Sequence, residues 1–131
     1  MQKNSNIKLT LCGLLIALLT SSIYTHNMPE FLYKVISQEA FFQSLHKKEL
    51  LLSSFDKHFI HFATQEQLPK IIQKFFPNQT AHILKIKVSS LPGKLVLEKN
   101  PGGETQYYHL YNGSIPKESI LQEVLLEEIK I

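Results

Sequence analysis

Two short segments place a histidine among apolar and aromatic neighbours. They are Asp56-Lys57-His58-Phe59-Ile60-His61-Phe62-Ala63-Thr64 and Tyr107-Tyr108-His109-Leu110-Tyr111-Asn112-Gly113. Imidazole is the side chain whose ordinary pKa lies nearest neutrality, so a histidine fixed on a strand can act as acid, base or anion donor. Strand alternation puts Tyr107, His109 and Tyr111 on one face, a flat aromatic wall that could stack a base or a nicotinamide ring. His61 shares its face with Phe59 and Ala63. Glu98 shares a face with Val96 and stands just before a glycine loop, at a strand end where sites are often placed. His58 and His61, three apart on a strand, point to opposite faces, and no third ligand accompanies them, so no metal site is expected. His82 falls on an apolar strand face and reads as core or rim.

Several classes of chemistry are excluded by composition. Cys12 is the only cysteine and lies near the N-terminus, so residues 28–131 hold neither a disulfide framework nor a thiolate catalyst. The chain has no arginine and no tryptophan, which removes any bidentate guanidinium clamp on phosphate or carboxylate. From Met28 onward 12 lysines face 11 acids, with no run of five like charges, so no nucleic-acid groove is evident.

The elements that must position these residues follow from periodicity. Phe31 to Ser37 reads as a strand with both faces largely apolar, as in a central strand. Ser37 caps a helix expected from Gln38 to about Lys48, with Ala40, Phe41, Phe42 and Leu45 on its apolar face. Leu50 to Leu52 adds a short extended piece, and His58 to Ala63 is the next strand. Thr64-Gln65-Glu66-Gln67 has the spacing of a capping box. Leu68, Ile71, Ile72, Phe75 and Phe76 then form an amphipathic stripe that Pro77-Asn78 stops. Ala81 to Val88 alternates as a half-buried strand. Further strands are expected at Lys94 to Glu98, Thr105 to Tyr111 and Ile120 to Leu126, with turns at Asn100-Pro101-Gly102-Gly103 and Asn112-Gly113. The order predicts an α+β domain, two helices packed on a mixed, largely antiparallel sheet.

The 131 residues suit one compact domain, residues 28–131. Residues 1–27 are set apart. Lys3 and Lys8 precede the apolar run Leu9 to Leu19 and the small residues Thr20, Ser21 and Ser22, the pattern of a secretory signal peptide. The stretch from Ile7 to Tyr24 is close to the roughly 20 apolar residues of a membrane anchor, the only membrane contact expected. Export, to the periplasm or beyond, is the expected location. A start at Met28 would instead leave the domain in the cytoplasm.

Leu32-Tyr33-Lys34-Val35, Phe59-Ile60-His61-Phe62-Ala63-Thr64, Leu95-Val96-Leu97-Glu98 and Tyr108-His109-Leu110-Tyr111 resemble successive landmarks of one bacterial family, domain of unknown function family 952. The resemblance runs from about Phe31 to Val124. That family is grouped by fold with the ADP-ribosyltransferases and RNA 2′-phosphotransferases, which implies a split β-sheet clasping a nucleotide such as NAD. On that implication NAD is a substrate rather than a resident cofactor. Glu98, His61 and His109 become the candidate catalytic residues, with Glu98 stabilising an oxocarbenium-like transition state and the histidines holding ribose or phosphate. Tyr33, Thr64, Tyr107 and Tyr111 become the candidate ligand contacts, in a domain expected to be a monomer. Two readings stay open: a nucleotide-handling transferase, and a non-catalytic ligand-binding or interaction domain on the same scaffold.

Overall fold

The computed structural model of the chain describes residues 27–127. Residues 1–27, expected to form a leader or anchor, lie outside the described residues apart from the last. β1 (Phe31–Ser37) leads into α1 (Gln38–Ser44). A single 3-10 turn, Ser54–Asp56, precedes β2 (Ile60–Phe62). α2 (Leu68–Phe75) and β3 (Ala81–Lys87) follow, then β4 (Lys94–Lys99), β5 (Gln106–Tyr111) and β6 (Ile120–Leu126).

The strands form two three-stranded sheets, ordered β1-β3-β6 and β2-β5-β4. Every strand pair in them is antiparallel, so the expected parallel component of the sheet is absent among the described residues. Parallel neighbours need a crossover that returns the chain to the end where the first strand began. Here β4 and β5 are adjacent in sequence, and the excursion between β1 and β3 brings the chain back to the end it left, with Ala81 opposite Ser37.

The sheets touch through one backbone bridge. Tyr33 and Ala63 exchange both N–H···O bonds at 2.8 Å, so the free side of β1 meets the end of β2. The two sheets meet at this seam. Between the sheets lies the core of Leu32, Ile36, Ile60, Phe62, Leu84, Ile86 and Leu110, closed by Leu50 and Ile115. Alternation assigns these residues to one inward face of each strand, and His82 joins Leu84 and Ile86 on it, buried as expected.

Two elements stop short of their expected bounds, and one expected cap is half formed. α1 ends at Ser44 rather than near Lys48, because the Ser44 hydroxyl donates to the Ala40 carbonyl at 2.7 Å and accepts from the Leu51 N–H at 2.9 Å. That pair of bonds turns the chain back. β2 begins at Ile60 rather than His58, because Asp56 Oδ1 captures the His61 N–H and bends the residues between them. The predicted capping box is half realised: Gln67 Oε1 accepts from the Thr64 N–H at 3.0 Å, while α2 itself begins one residue later.

Candidate functional site

The chemistry expected of the two histidine segments converges on the face of β2-β5-β4 that points away from the core. His61 on β2 is the register partner of His109 on β5, which is in turn the partner of Val96 on β4. Three strands thus align His61, His109 and Val96 in a row. Tyr107 and Tyr111 lie two residues either side of His109 on the same face, and Glu98 lies beside Val96. The aromatic wall read from the sequence is therefore one surface, with the carboxylate and the second histidine on it.

Glu98 draws this surface together. Its Oε1 accepts from His109 Nδ1 at 2.9 Å and from the Tyr111 hydroxyl in a short contact. The Tyr111 hydroxyl first, and His109 second, hold the Glu98 carboxyl below its ordinary range despite some desolvation. Tyr111 is pushed up in return, because its phenol proton is the one Glu98 accepts. Glu98 is a fixed, charged acceptor near neutrality, not an acid.

The two histidines are not equivalent. His109 is fully buried, with Phe59 stacked on its ring at a centroid distance of 4.0 Å. Among the described residues His109 Nε2 has no hydrogen-bond partner. Phe59 also lies 4.8 Å from the His61 ring and 5.3 Å from Tyr111, so it fills the space between them above His109. The His61 ring meets His109 edge-on at 5.1 Å, and its side chain is 36% exposed.

Sequence reasoning missed what stands behind His61. Asp56 Oδ1 accepts from His61 Nδ1 at 3.1 Å, from the His61 backbone N–H at 3.0 Å and from Lys34 Nζ at 2.7 Å. Lys34 also donates to the His61 carbonyl at 2.9 Å. Burial alone would raise the Asp56 carboxyl, but the His61 hydrogen bond and the Lys34 charge outweigh it and bring it to about 2. For Lys34 the balance is reversed: burial pulls the ammonium below its usual range against the opposing pull of Asp56. An ionised carboxylate only accepts, so neutral His61 carries its proton on Nδ1 and keeps a lone pair on Nε2. One signal was available: Asp56 is the only aspartate in the chain.

Tyr33 and Thr64 stand apart from the cluster, at the seam between the sheets. The Tyr33 hydroxyl donates to Gln65 Oε1 at 3.5 Å, a long contact, and the Thr64 N–H donates to Gln67. Among the described residues no group of three or more His, Cys, Asp or Glu side chains is placed to hold a metal ion. No helix among them is long and apolar enough to cross a membrane.

Residues 35–123 match the family model described as Protein of unknown function (DUF952). The chain belongs to that family. The DUF952 match takes in His61, Thr64, Glu98, Tyr107, His109 and Tyr111, and leaves Tyr33 just outside. Two solved structures of protein CC0527 from Caulobacter crescentus are similar to this DUF952 chain. Its crystal structure aligns with a TM-score of 0.64 at 24% identity, over 74% of this chain and 86% of that one. Its solution NMR structure gives the same TM-score and identity over 76% and 86%. The likeness extends to the fold. No curated protein matches the chain.

Proposed function

We propose that the outer face of β2-β5-β4 binds a nucleotide such as NAD, in the manner of an ADP-ribosyltransferase-like domain. The observation that carries this reading is Glu98, held ionised by Tyr111 and His109 on the face that also bears His61. A fixed carboxylate is what a developing oxocarbenium ion requires beside it. His61, with its Nε2 lone pair directed away from Asp56, is the group suited to meet a ribose hydroxyl. Tyr107 and Tyr111 supply the stacking surface. Export through the N-terminal segment is a separate proposal, and it weighs against NAD or RNA as the ligand, since both are scarce outside the cytoplasm.

The burial of His109 favours binding over two-histidine catalysis. Its ring is closed off by Phe59, so its part is to orient Glu98 rather than to touch a ligand. A non-catalytic ligand-binding domain uses the same face.

Thermal shift against NAD, ADP-ribose and 2′-phosphorylated nucleotides tests the reading. At least one of them should raise the melting temperature saturably, and Glu98→Gln and His61→Ala should each reduce that rise. Stabilisation by none, or stabilisation untouched by both variants, would refute it.

A further inference from the structure

The opposite sheet holds a cavity that the histidine face does not use. It has a volume of about 250 Å3 and lies between α1 and β6. We propose that it binds a small zwitterion with an apolar tail, of the size and chemistry of a free aliphatic α-amino acid.

The walls set the tail. Leu50 and Leu84, both core residues, form the apolar floor, and Phe41 and Ile120 form the sides. The volume falls below the roughly 300–1,000 Å3 of pockets that take drug-sized ligands. A dinucleotide is therefore too large, and a branched aliphatic side chain is a suitable occupant.

Two charges of opposite sign line the same cavity, Lys117 and Glu123. Lys117 Nζ donates to the Leu45 carbonyl at 2.7 Å and has no carboxylate within 4 Å among the described residues. An ammonium has three donors, so two remain for a ligand carboxylate. Glu123 accepts from His82 Nδ1 through Oε1, which leaves Oε2 for a ligand ammonium. A ligand carrying one charge answers only Lys117 or only the free oxygen of Glu123, whereas a zwitterion answers both.

The arrangement is held in place. His82 is buried, binds Glu123 and stacks on Phe41 with ring centroids 3.9 Å apart and planes 7° from parallel. One residue thus fixes both an anion of the site and one of its walls.

The test is a titration of the full chain with L-leucine, followed by the methyl NMR signals of Leu50, Leu84 and Ile120. The comparators are 4-methylpentanoate, which lacks the ammonium, isopentylamine, which lacks the carboxylate, and 3-methylbutan-1-ol, which lacks both. Leucine should shift these methyls saturably, and loss of either charge should weaken binding at least tenfold. Lys117→Met should abolish the advantage of leucine over isopentylamine, and Lys117→Arg should retain it. The comparator series needs no variant, so it decides the question even if Lys117→Met fails to fold. Equal binding of leucine and the alcohol, equal binding of leucine and either singly charged analogue, or no saturable shift at tens of millimolar leucine would overturn the proposal.

Discussion

Asp56→Asn should be one of the most damaging single changes in this fold, and its cost can be worked from the buried pair it breaks. Asp56 and Lys34 expose only 3% and 8% of their side chains and meet at 2.7 Å. The descent of the Asp56 carboxyl from 3.8 to about 2 corresponds to roughly 2.5 kcal/mol, at about 1.4 kcal/mol per unit. Removing one partner of a buried pair costs about 3–5 kcal/mol, because the other charge is left without compensation. For a domain of this size each kcal/mol moves the melting temperature by about 4–8 °C, so a fall of at least about 12 °C is expected.

The pH dependence carries a sign that distinguishes this cause from a packing defect. In the unfolded chain the Asp56 carboxyl binds a proton near pH 3.8, and in the folded chain only near 2. The stability it contributes is therefore complete above about pH 5 and is lost as the pH falls toward 2. Asp56→Asn should lack that part of the acid limb. It should also gain stability as the pH rises above neutrality, because Lys34, lowered by burial, then sheds its uncompensated charge. Urea unfolding from pH 2 to 10 measures both limbs. Replacing the pair together, Lys34→Met with Asp56→Leu, should recover only part of the loss, because the His61 N–H and Nδ1 then lack their acceptor. An Asp56→Asn midpoint within about 1 kcal/mol of the parent, with an unchanged acid limb, would refute the reasoning.

Two smaller perturbations test the turns that frame the sheets. Gly113→Ala would place a Cβ 2.2 Å from the Pro92 carbonyl oxygen and 2.8 Å from Leu110. Backbone must move, so a loss of about 2 kcal/mol or more in chemical denaturation is expected, with tolerance of the change arguing against this close approach. Ser44→Ala removes both bonds that end α1, in a residue only 2% exposed. A loss of about 1–3 kcal/mol should follow, with faster amide exchange at Leu51 as the local sign.

The strands were legible because one face of each is buried, and burial imprints the period of two on the residue types. β3 shows it best: His82, Leu84 and Ile86 alternate inward, and the structure buries all three. The joint face of Tyr107, His109 and Tyr111 follows from the same rule. Where the chain bends, side chains acting on distant backbone decide, and these leave no periodic trace. Ser44 ends α1 through Leu51, seven residues on, and Lys117 takes the Leu45 carbonyl from 72 residues away. Asp56 was hidden in the same manner. In Ser53-Ser54-Phe55-Asp56-Lys57 it reads as an ordinary turn residue, and its partner Lys34 reads as one polar position on an otherwise apolar strand face. Only the fold brings those two together.

The difference between the two histidines follows from strand order. β5 is the central strand of β2-β5-β4, so His109 has neighbours on both sides, Glu98 reaching from β4 and His61 from β2. With Phe59 above it, no route to solvent remains. β2 lies at the end of the same sheet, so His61 is flanked by a strand on one side only and keeps an exposed edge. Each imidazole has its Nδ1 on a carboxylate, yet the effects are opposite. Asp56 is buried and uses its charge to orient a partly exposed histidine, whereas His109 is buried and helps to fix a partly exposed carboxylate. What this face offers a ligand is therefore one oriented imidazole and one ionised carboxylate, from different strands, with an aromatic ring between them. Such a pair can hold a polar hydroxyl-bearing group at both ends. Of the two histidines expected to hold ribose or phosphate, only His61 keeps an accessible ring; buried His109 is placed to orient Glu98 instead.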